Sequence, residues 1–310
     1  WAQAGCRGWS HADVLPHFRS LEDYRDDAHR GAGGPQHVSD IPALHPIVAD
    51  FLEGGAECGL ARNPDYNGAA QEGVFTYQRT IRRGSRFSAA SAFLAPVRDR
   101  ANLRVVTNAL VLRIETAAGR ANGITFARDG RTLTAHAKGE IVLAAGAIGS
   151  PHLLQVSGLG PAALSRALGL PVIADNPGVG ANLQDHLEIY MQFAAAKPVT
   201  LYKYWNVFGK AWVGAQWLLT GGGVGASNQF EACAFIRTKA GVDYPDIQYH
   251  FLPLAVRYDG RSAVKSHSFQ AHVGSLRSPS RGRVKLTSKD PSAHPSILFN
   301  YMTNEQDWQE

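Results

Sequence analysis

The spacing of apolar residues changes along the chain from a helical period to alternation. Near the N-terminus, apolar residues recur at helical spacing over 14–21, and Asp13 stands at the position of an N-cap. A second helix is predicted from about Pro46 to Cys58, because its apolar residues share one face and Gly59 follows where a helix ends. The N-terminal part of the chain is therefore predicted to be largely helical.

Further along the chain, apolar and polar residues alternate, which is typical of half-buried β-strands. The predicted strands cover residues 103–106, 109–115, 123–127, 132–137, 246–252, 268–273 and 283–286. The dipeptide Asp129-Gly130 is a strong signal for a two-residue hairpin turn between two of these strands.

The run 140–146 differs from these strands because it is apolar almost throughout. Such a run suits a strand buried on both faces, as in a parallel sheet. Ser150 and Pro151 are then the N-cap and first residue of a helix that ends near Val156, before Gly158. Together these elements predict an α/β fold, α+β overall, with two sheets.

The composition narrows the classes of protein that the chain can represent. Of 310 residues, 45% are hydrophobic and 18% are charged, which excludes a disordered or coiled-coil chain. The net charge of +5 is spread along the chain without a basic, aromatic stripe, so no nucleic-acid partner is predicted. No apolar run reaches the ~18 residues of a membrane-spanning helix. The 3 cysteines are widely spaced, predict no disulfide framework or metal site, and favour a reducing compartment.

The two ends of the sequence suggest an internal fragment. The sequence begins at Trp1 without a methionine and stops at Glu310 within a polar, helix-like stretch. A targeting peptide of the parent protein is therefore not expected to be visible here.

The strongest chemical signal is the segment GAIGSPHLLQVSGLG at residues 146–160. Small side chains at 144–146 let the backbone approach a planar or phosphorylated ligand, and the start of the following helix offers unpaired N–H groups. Tight packing of a strand against a helix explains the same residues without a ligand. The spacing alone leaves both interpretations open.

This segment resembles the second signature of the glucose-methanol-choline (GMC) family of FAD-dependent oxidoreductases. Further blocks resemble the family in the same order: WSHADVLPHFRSLED, DYNGAAQEG, GSRFSAASAFLAPV, PGVGANLQDHLE and SRGRVKLTSKDPSAHPSILFNY. The resemblance covers the whole chain. In the second half it is strongest to choline-oxidising members, through VGASNQFEACAFIR, IQYHFLPLAV, GSLRSPSRG and FNYMTNEQDWQE.

The resemblance implies FAD as the cofactor and a division into two incomplete domains. Residues 1–190 correspond to the middle and C-terminal part of a GMC-type FAD-binding domain. Residues 191–310 correspond to part of an antiparallel-sheet substrate domain and the start of the family's C-terminal domain. The GxGxxG turn that grips the FAD pyrophosphate in the family does not occur in this sequence. The family's catalytic histidine is expected beyond Glu310, so no catalytic residue is assigned.

The resemblance also implies which residues meet the cofactor. Val111 corresponds to a position where backbone atoms contact the adenine, and Ala144, Ala145 and Gly146 line the same region. The polar stretch NLQDH at 182–186 is suited either to bonding the cofactor or to bracing a loop, and both alternatives stay open.

For the substrate, the resemblance points to Glu231, which aligns with a glutamate that choline-oxidising relatives place near the trimethylammonium group. A quaternary ammonium donates no hydrogen bond, so a site selects it by a carboxylate and by aromatic faces. Glu231 follows Phe230 and precedes small apolar residues, which is an unusual place for a charge. The alternative role is an ion pair, with Arg237 as the candidate partner. Candidate cage walls, which packing explains equally well, are Trp205, Trp212 and Trp217.

The expected activity is the oxidation of a primary alcohol, choline first, to its aldehyde, here betaine aldehyde. A hydride passes to FAD and onward to a respiratory or other electron acceptor. One alternative is a GMC dehydrogenase for neutral primary alcohols, which FTYQRTIRRGSRFSAASAFLAPV resembles equally well. A second alternative is a truncated product without activity of its own. The resemblance leaves the location open between the cytoplasm and the surface of a membrane.

Overall fold

The chain folds into two units, each built from separate stretches of the sequence. A computed structural model describes residues 1–41, 45–257 and 265–310. The first unit comprises Trp1–Leu103, Glu188–Leu276 and Glu310, and the second comprises Arg104–Leu187 and Arg277–Gln309. The domain boundary between residues 190 and 191 stays a prediction.

Both units contain helices and strands. The α-helices in the described residues are α1 (His11–Leu21), α2 (Pro46–Glu57), α3 (Gly146–Val156), α4 (Ala162–Ala167), α5 (Val207–Thr220) and α6 (Glu305–Gln309). The strands there are β1 (Glu22–Asp23), β2 (Gln36–His37), β3 (Gly73–Thr76), β4 (Ile81–Arg82), β5 (Ser85–Arg86), β6 (Leu110–Ala117), β7 (Arg120–Arg128), β8 (Arg131–His136), β9 (Leu159–Gly160), β10 (Ala174–Asp175), β11 (Ala181–Leu183), β12 (Glu188–Ala194), β13 (Ala232–Ile236), β14 (Ile247–Leu252), β15 (Ser268–Ser275), β16 (Gly282–Lys285) and β17 (Ser296–Leu298). The predicted mixed fold is confirmed.

The first unit is organised by an antiparallel sheet, in which the described strands follow the order β12-β15-β14-β13-β3. Helix α2 covers one face. Its fully buried Val48 belongs to an apolar cluster that includes Val74 of β3, Ala232 of β13 and Phe251 of β14. The Phe251 ring also stacks on Phe51, with 4.8 Å between ring centroids. Burial of each such side chain stabilises the fold by about 1.5–3 kcal/mol, so α2 is held mainly by packing.

Both predicted N-terminal helices form, but the cap of the first was misplaced. Ser10 is the N-cap of α1, and Asp13 is the third helical residue. The backbone N–H of Asp13 donates to Ser10 Oγ, and the Asp13 carboxylate accepts from the backbone N–H of Ser10 at 2.9 Å. This reciprocal capping box satisfies two backbone donors, whereas Asp13 as N-cap would satisfy one. Helix α2 has the predicted start and ends one residue early, at Glu57.

The second unit contains the predicted hairpin. Strands β7 and β8 pair in antiparallel register up to Arg128 and Arg131, and Asp129 and Gly130 form the turn between them. Their φ angles are 49° and 73°. Two consecutive positive φ angles are characteristic of a type I′ turn, whose twist matches that of the strands. Strand β6 completes the sheet on the other side of β7.

Two predicted strands of this region are wrong. Residues 103–106 and 140–145 have no regular secondary structure, and Val142 is 84% exposed. Apolar residues favour a strand only if neighbouring strands satisfy the backbone and cover both faces. The described residues provide no such neighbours for 140–145. The parallel pairs found among the described strands, β1 with β2 and β9 with β10, are each two residues long.

Helix α3 begins five residues before the predicted position. Its first residue is Gly146, with Ala145 as N-cap, and Pro151 lies inside the helix. Ser150 is not the N-cap, but its Oγ accepts a hydrogen bond from the backbone N–H of Ala145 at 3.1 Å. Gly146 has a φ angle of 78°, a left-handed conformation that glycine adopts without steric cost. The helix ends at Val156, as predicted.

Gln155 fixes α3 within the second unit. Its side chain is 2% exposed. The amide nitrogen donates to the carbonyls of Val179 and Val284, at 3.0 and 2.9 Å, and the amide oxygen accepts from the backbone N–H of Leu286 at 2.8 Å. One side chain thus satisfies three main-chain groups.

Replacement of Gln155 by leucine should therefore destabilise the second unit by about 2–4 kcal/mol, because buried main-chain groups lose their partners. Urea unfolding followed by tryptophan fluorescence and circular dichroism measures the change. The control is Gln71→Leu, at an exposed position, which should stay within about 0.5 kcal/mol of the parent chain. Equal stability of both variants would show that the Gln155 bonds contribute nothing net.

Candidate functional site

A cavity of about 640 Å³ lies within the first unit, on the sheet face opposite α2. It is lined by Tyr77, Gln78, Glu188, Tyr190, Asn228, Phe230, Gln248, His250, Leu252, Val256, Arg257, Gln270 and His272. This volume is sufficient for a small organic molecule. We take it as the candidate functional site.

The register of the sheet brings the histidines of the cavity together. Cys233, His250, His272 and Tyr190 are successive cross-strand partners on β13, β14, β15 and β12. Side chains of directly opposed residues lie on the same face of a sheet. The row therefore places two imidazoles and a phenol side by side, although these residues are far apart in the sequence.

Glu188 enters the cavity at the start of β12 and is held by His272. The Nδ1 atom of His272 lies 2.8 Å from Glu188 Oε1, and its Nε2 atom lies 2.5 Å from the amide nitrogen of Gln270. The amide oxygen of Gln270 accepts from the backbone N–H of Val256 at 2.8 Å, so the amide NH₂ faces the imidazole. His272 then accepts at Nε2 and donates from Nδ1 to the carboxylate. This series fixes the position of Glu188.

Aromatic rings line the same cavity and flank the two histidines. The rings of Tyr190 and Phe230 lie 5.5 and 5.6 Å from the His272 ring, centroid to centroid, and Phe230 meets it edge-on. Tyr77 lies on the far side of His250 and is stacked on its ring. Among the described residues that line the cavity, Glu188 is the one carboxylate and Arg257 is the cation whose charge does not depend on pH. The cavity thus combines one anion and one permanent cation with several π-faces.

Glu231, the predicted substrate-binding residue, does not line this cavity. It is buried next to Phe230, and its carboxylate accepts from Ser227 Oγ at 2.7 Å and from the backbone N–H of His45 at 3.3 Å. His45 is the N-cap of α2 and its side chain makes no capping bond, while Glu231 satisfies the backbone N–H of this N-cap residue. Burial and the charge of Lys203 lower the pKa of His45. The substrate role of Glu231 stays a prediction.

The alternative role of Glu231, an ion pair with Arg237, is wrong. Arg237 pairs with Glu72 instead, and no cationic side chain of the described residues lies within 4.0 Å of the Glu231 carboxylate. The candidate tryptophans also lie outside the residues that line the cavity. Trp217 donates its indole N–H to the Gly84 carbonyl at 2.7 Å, which is a packing role.

The predicted cofactor residues lie in the second unit. Val111 is on β6, half-buried and opposite Phe126. Ala144, Ala145 and Gly146 are exposed and lead into α3, and no atom lies within 4 Å of a Cβ placed on Gly146. Small, exposed side chains beside a backbone in left-handed conformation leave room for a flat ring to approach. The residues present therefore fit the adenosine part of FAD.

The polar stretch at 182–186 braces a loop within the second unit. The Tyr301 hydroxyl donates to Asp185 Oδ2 at 2.5 Å. Partial burial and this carboxylate raise the pKa of Tyr301 to about 12, so the hydroxyl stays protonated and continues to donate. His186, exposed on the loop, donates its backbone N–H to Asp185 Oδ1 at 3.0 Å. These contacts support the loop-bracing alternative, and the cofactor-binding alternative for 182–186 stays a prediction.

Sequence reasoning missed Glu188, His250 and His272 as candidate site residues. Two signals were available. Glu188 stands at the first position of an alternating run, and His272 lies at an inward position of another. Alternation shows which residues of one strand lie on the same face, but the sequence does not show which strands are neighbours.

Among the described residues, no group of three histidine, cysteine, aspartate or glutamate side chains is arranged to hold a metal. No helix among them is long and apolar enough to span a membrane.

Comparison with known proteins defines the family of the chain. A family model described as GMC oxidoreductase matches residues 1–188. An oxygen-dependent choline dehydrogenase of Brucella anthropi is 47% identical over 310 residues, which are 99% of this chain and 56% of that protein. Its counterpart in Burkholderia pseudomallei is 49% identical over 318 residues, covering 100% of this chain and 56% of that protein. The chain belongs to the GMC oxidoreductase family, as the resemblance predicted, and spans about half the length of these relatives.

Solved structures of other proteins share the fold of this chain. Pyridoxine 4-oxidase from Mesorbium loti is 27% identical, with a TM-score of 0.83 over 98% of this chain and 57% of that one. A formate oxidase of Aspergillus oryzae, whose structure addresses FAD modification, shares the fold with a TM-score of 0.85 at 21% identity, over 97% of this chain and 59% of that one. Membership of this family confirms FAD as the predicted cofactor.

The reactivity of Cys233 tests whether β13 is buried in the sheet as described. Burial raises the pKa of its thiol to about 12, whereas Cys6 and Cys58 are exposed. Because the thiolate is the reactive form, iodoacetamide at pH 8 should modify Cys6 and Cys58 in the folded chain and leave Cys233 unmodified. Peptide mass spectrometry reads the result, with the urea-unfolded chain as the control in which all three react. Modification of Cys233 at the rate of Cys58 would contradict this description of the sheet.

Proposed function

We propose that this chain is part of an FAD-dependent enzyme that oxidises choline to betaine aldehyde, with Glu188 as the residue that binds the trimethylammonium group. The observation that carries the proposal is a cavity lined by both the Glu188 carboxylate and several aromatic rings. The substrate predicted from the sequence is kept. The carboxylate that binds it is reassigned from the predicted Glu231 to Glu188.

The physical case rests on how a quaternary ammonium is recognised. It has no N–H to donate, so only charge and polarisable faces distinguish it from a neutral group of the same shape. A carboxylate at about 4 Å from the cation contributes a few kcal/mol at an effective dielectric constant of ~20. Since His272 already holds Glu188 at 2.8 Å, the side chain needs little reordering when the cation arrives.

FAD is assigned to the residues of the second unit that fit it. Val111 and the exposed residues 144–146 are proposed to contact the adenosine part. When bound, FAD supplies the acceptor for the hydride that leaves the alcohol carbon. This chain's own part is to orient the alcohol by its cationic end and to surround the reacting carbon with side chains of the cavity. We propose that the electrons then pass to a final acceptor. This acceptor is either a respiratory carrier or molecular oxygen, and the names of the relatives refer to oxygen.

The role of Glu188 is tested in a chimera in which this chain replaces the matching segment of the Brucella anthropi relative. Glu188→Gln keeps the shape and removes the charge, so the KM for choline should rise about tenfold or more, as expected for ~1.4 kcal/mol per factor of ten. The neutral isostere 3,3-dimethylbutanol should be affected far less. Initial rates with both alcohols give the ratio of kcat/KM that isolates the charge.

Glu231→Gln is the matched control and the competing hypothesis. If Glu231 only caps α2, this variant lowers stability and leaves the ratio of the two alcohols unchanged. A ratio that falls in Glu231→Gln and not in Glu188→Gln would restore the prediction from the sequence. A ratio that neither substitution changes would favour a dehydrogenase for neutral alcohols, and a chimera without activity on either alcohol would favour an inactive product.

The cofactor assignment makes a separate prediction about Gly146. A valine there is strained by about 1–2 kcal/mol in the left-handed region, and its side chain would occupy the open space above the backbone. Gly146→Val should therefore lower the flavin content of the chimera, measured as absorbance near 450 nm relative to protein. The control is Gly139→Val, where a Cβ meets nothing within 4 Å and φ lies outside the left-handed region. Normal flavin content in a folded Gly146→Val protein would remove these residues from the cofactor site.

A further inference from the structure

Three cavity side chains with no role in cation binding form a chain of hydrogen bonds. The amide nitrogen of Gln248 lies 2.9 Å from the Tyr77 hydroxyl oxygen, and that oxygen lies 2.7 Å from His250 Nδ1. The same amide nitrogen lies 3.7 Å from Cys233 Sγ. An amide, a phenol and an imidazole are thus linked in series on the cavity face of the sheet.

The chemistry of these groups sets the direction of the bonds. An amide NH₂ group only donates, so Gln248 donates to the phenol oxygen. Burial raises the pKa of Tyr77 far above its usual value, so the hydroxyl keeps its proton. The Tyr77 proton has two acceptors within reach, His250 Nδ1 at 2.7 Å and the Cys233 thiol, and it goes to the imidazole because this nitrogen is a much stronger acceptor than a thiol sulfur. A neutral imidazole that accepts at Nδ1 carries its proton on Nε2.

The ring of His250 is also held in place. It stacks on Tyr77, with 5.9 Å between centroids and 22° between planes, and Phe230 meets it edge-on at 6.2 Å. A half-turn of the imidazole would place Cδ2 where Nδ1 lies and so break the bond to Tyr77. Packing therefore fixes the plane of the ring, and the hydrogen bond fixes which edge of the ring faces Tyr77.

We propose that Tyr77, oriented by Gln248, is a positioning residue that holds His250 as the Nε2–H tautomer and so makes it a hydrogen-bond donor to an oxygen atom of a ligand in the cavity. The tautomer rests on these contacts and on the acceptor strength of the imidazole, and it does not depend on the proposed function. Its consequence for catalysis rests on the proposed function, in which that oxygen is the hydroxyl of the alcohol. A fixed donor at this oxygen stabilises the negative charge that develops as the alcohol proton leaves.

Nitrogen NMR of the full chain labelled with ¹⁵N-histidine tests the tautomer directly. In the parent chain, His250 should show a pyridine-type shift at Nδ1 and a pyrrole-type shift at Nε2. In Tyr77→Phe the preference should be lost, so the two nitrogens move towards averaged shifts. Tyr66→Phe is the matched control. It removes a hydroxyl from the same aromatic cluster, but that hydroxyl accepts from the Gln78 backbone N–H and does not contact His250.

Gln248→Glu provides a second, independent variant if Tyr77→Phe folds poorly by circular dichroism. The carboxylate keeps the length of the side chain but accepts instead of donating, so it draws the Tyr77 proton away from His250. The expected result is protonation of His250 at Nδ1. A parent chain with the proton on Nδ1, or variants that all keep it on Nε2, would overturn the proposal.

The kinetic consequence is measured in the chimera. Tyr77→Phe should lower kcat with choline about tenfold or more while KM changes less than about threefold, because the lost donor acts on the developing charge and not on the cation. Tyr66→Phe should change both constants less than about twofold. If no form of the chimera oxidises choline, the proposed function fails, while the NMR result still decides the tautomer. If the parent chimera is active and Tyr77→Phe leaves kcat unchanged, the positioning role is rejected.

Discussion

The antiparallel register of β14 between β13 and β15 is the constraint on which the rest of the first unit depends. Because side chains alternate, this register turns Phe251 towards α2 and its neighbour His250 towards the cavity. A shift by one residue would exchange the two faces, burying imidazole under the helix and exposing a phenylalanine. The apolar cluster on α2 therefore fixes the polar arrangement on the opposite face.

The cavity contains two hydrogen-bond series that are built in the same way. In each, a glutamine amide orients a second group, which in turn fixes the state of a functional side chain. Gln270 acts through His272 on Glu188, and Gln248 acts through Tyr77 on His250. Polar groups that are fully satisfied in a partly buried site are rigid, because any rotation leaves a donor or acceptor unpaired. In the proposed function, the rigid carboxylate would bind the cation and the rigid donor would bind the oxygen of an amino alcohol.

The second unit shows where local patterns are sufficient and where they are not. The Asp129-Gly130 turn was predictable, since its φ angles are a property of those two residues and their immediate neighbours. The apolar run 140–145 was predicted as a buried strand and is exposed and irregular. Its composition records a preference for burial, but a strand exists only with hydrogen-bonded neighbours, and the described residues supply none.

The sequence by itself determined the family, the cofactor, the hairpin and the helix over 46–57, because each depends on residues close together in the chain or on blocks in a recognisable order. From the resemblance it also predicted that a carboxylate beside aromatic rings binds the substrate, and this stays a prediction. Only the tertiary structure decided which carboxylate lines the cavity. Glu231 is diverted to the N-terminus of α2, and Glu188 meets His272 across 84 positions of sequence. Strand order and register bring these groups together, and no local pattern encodes either of them.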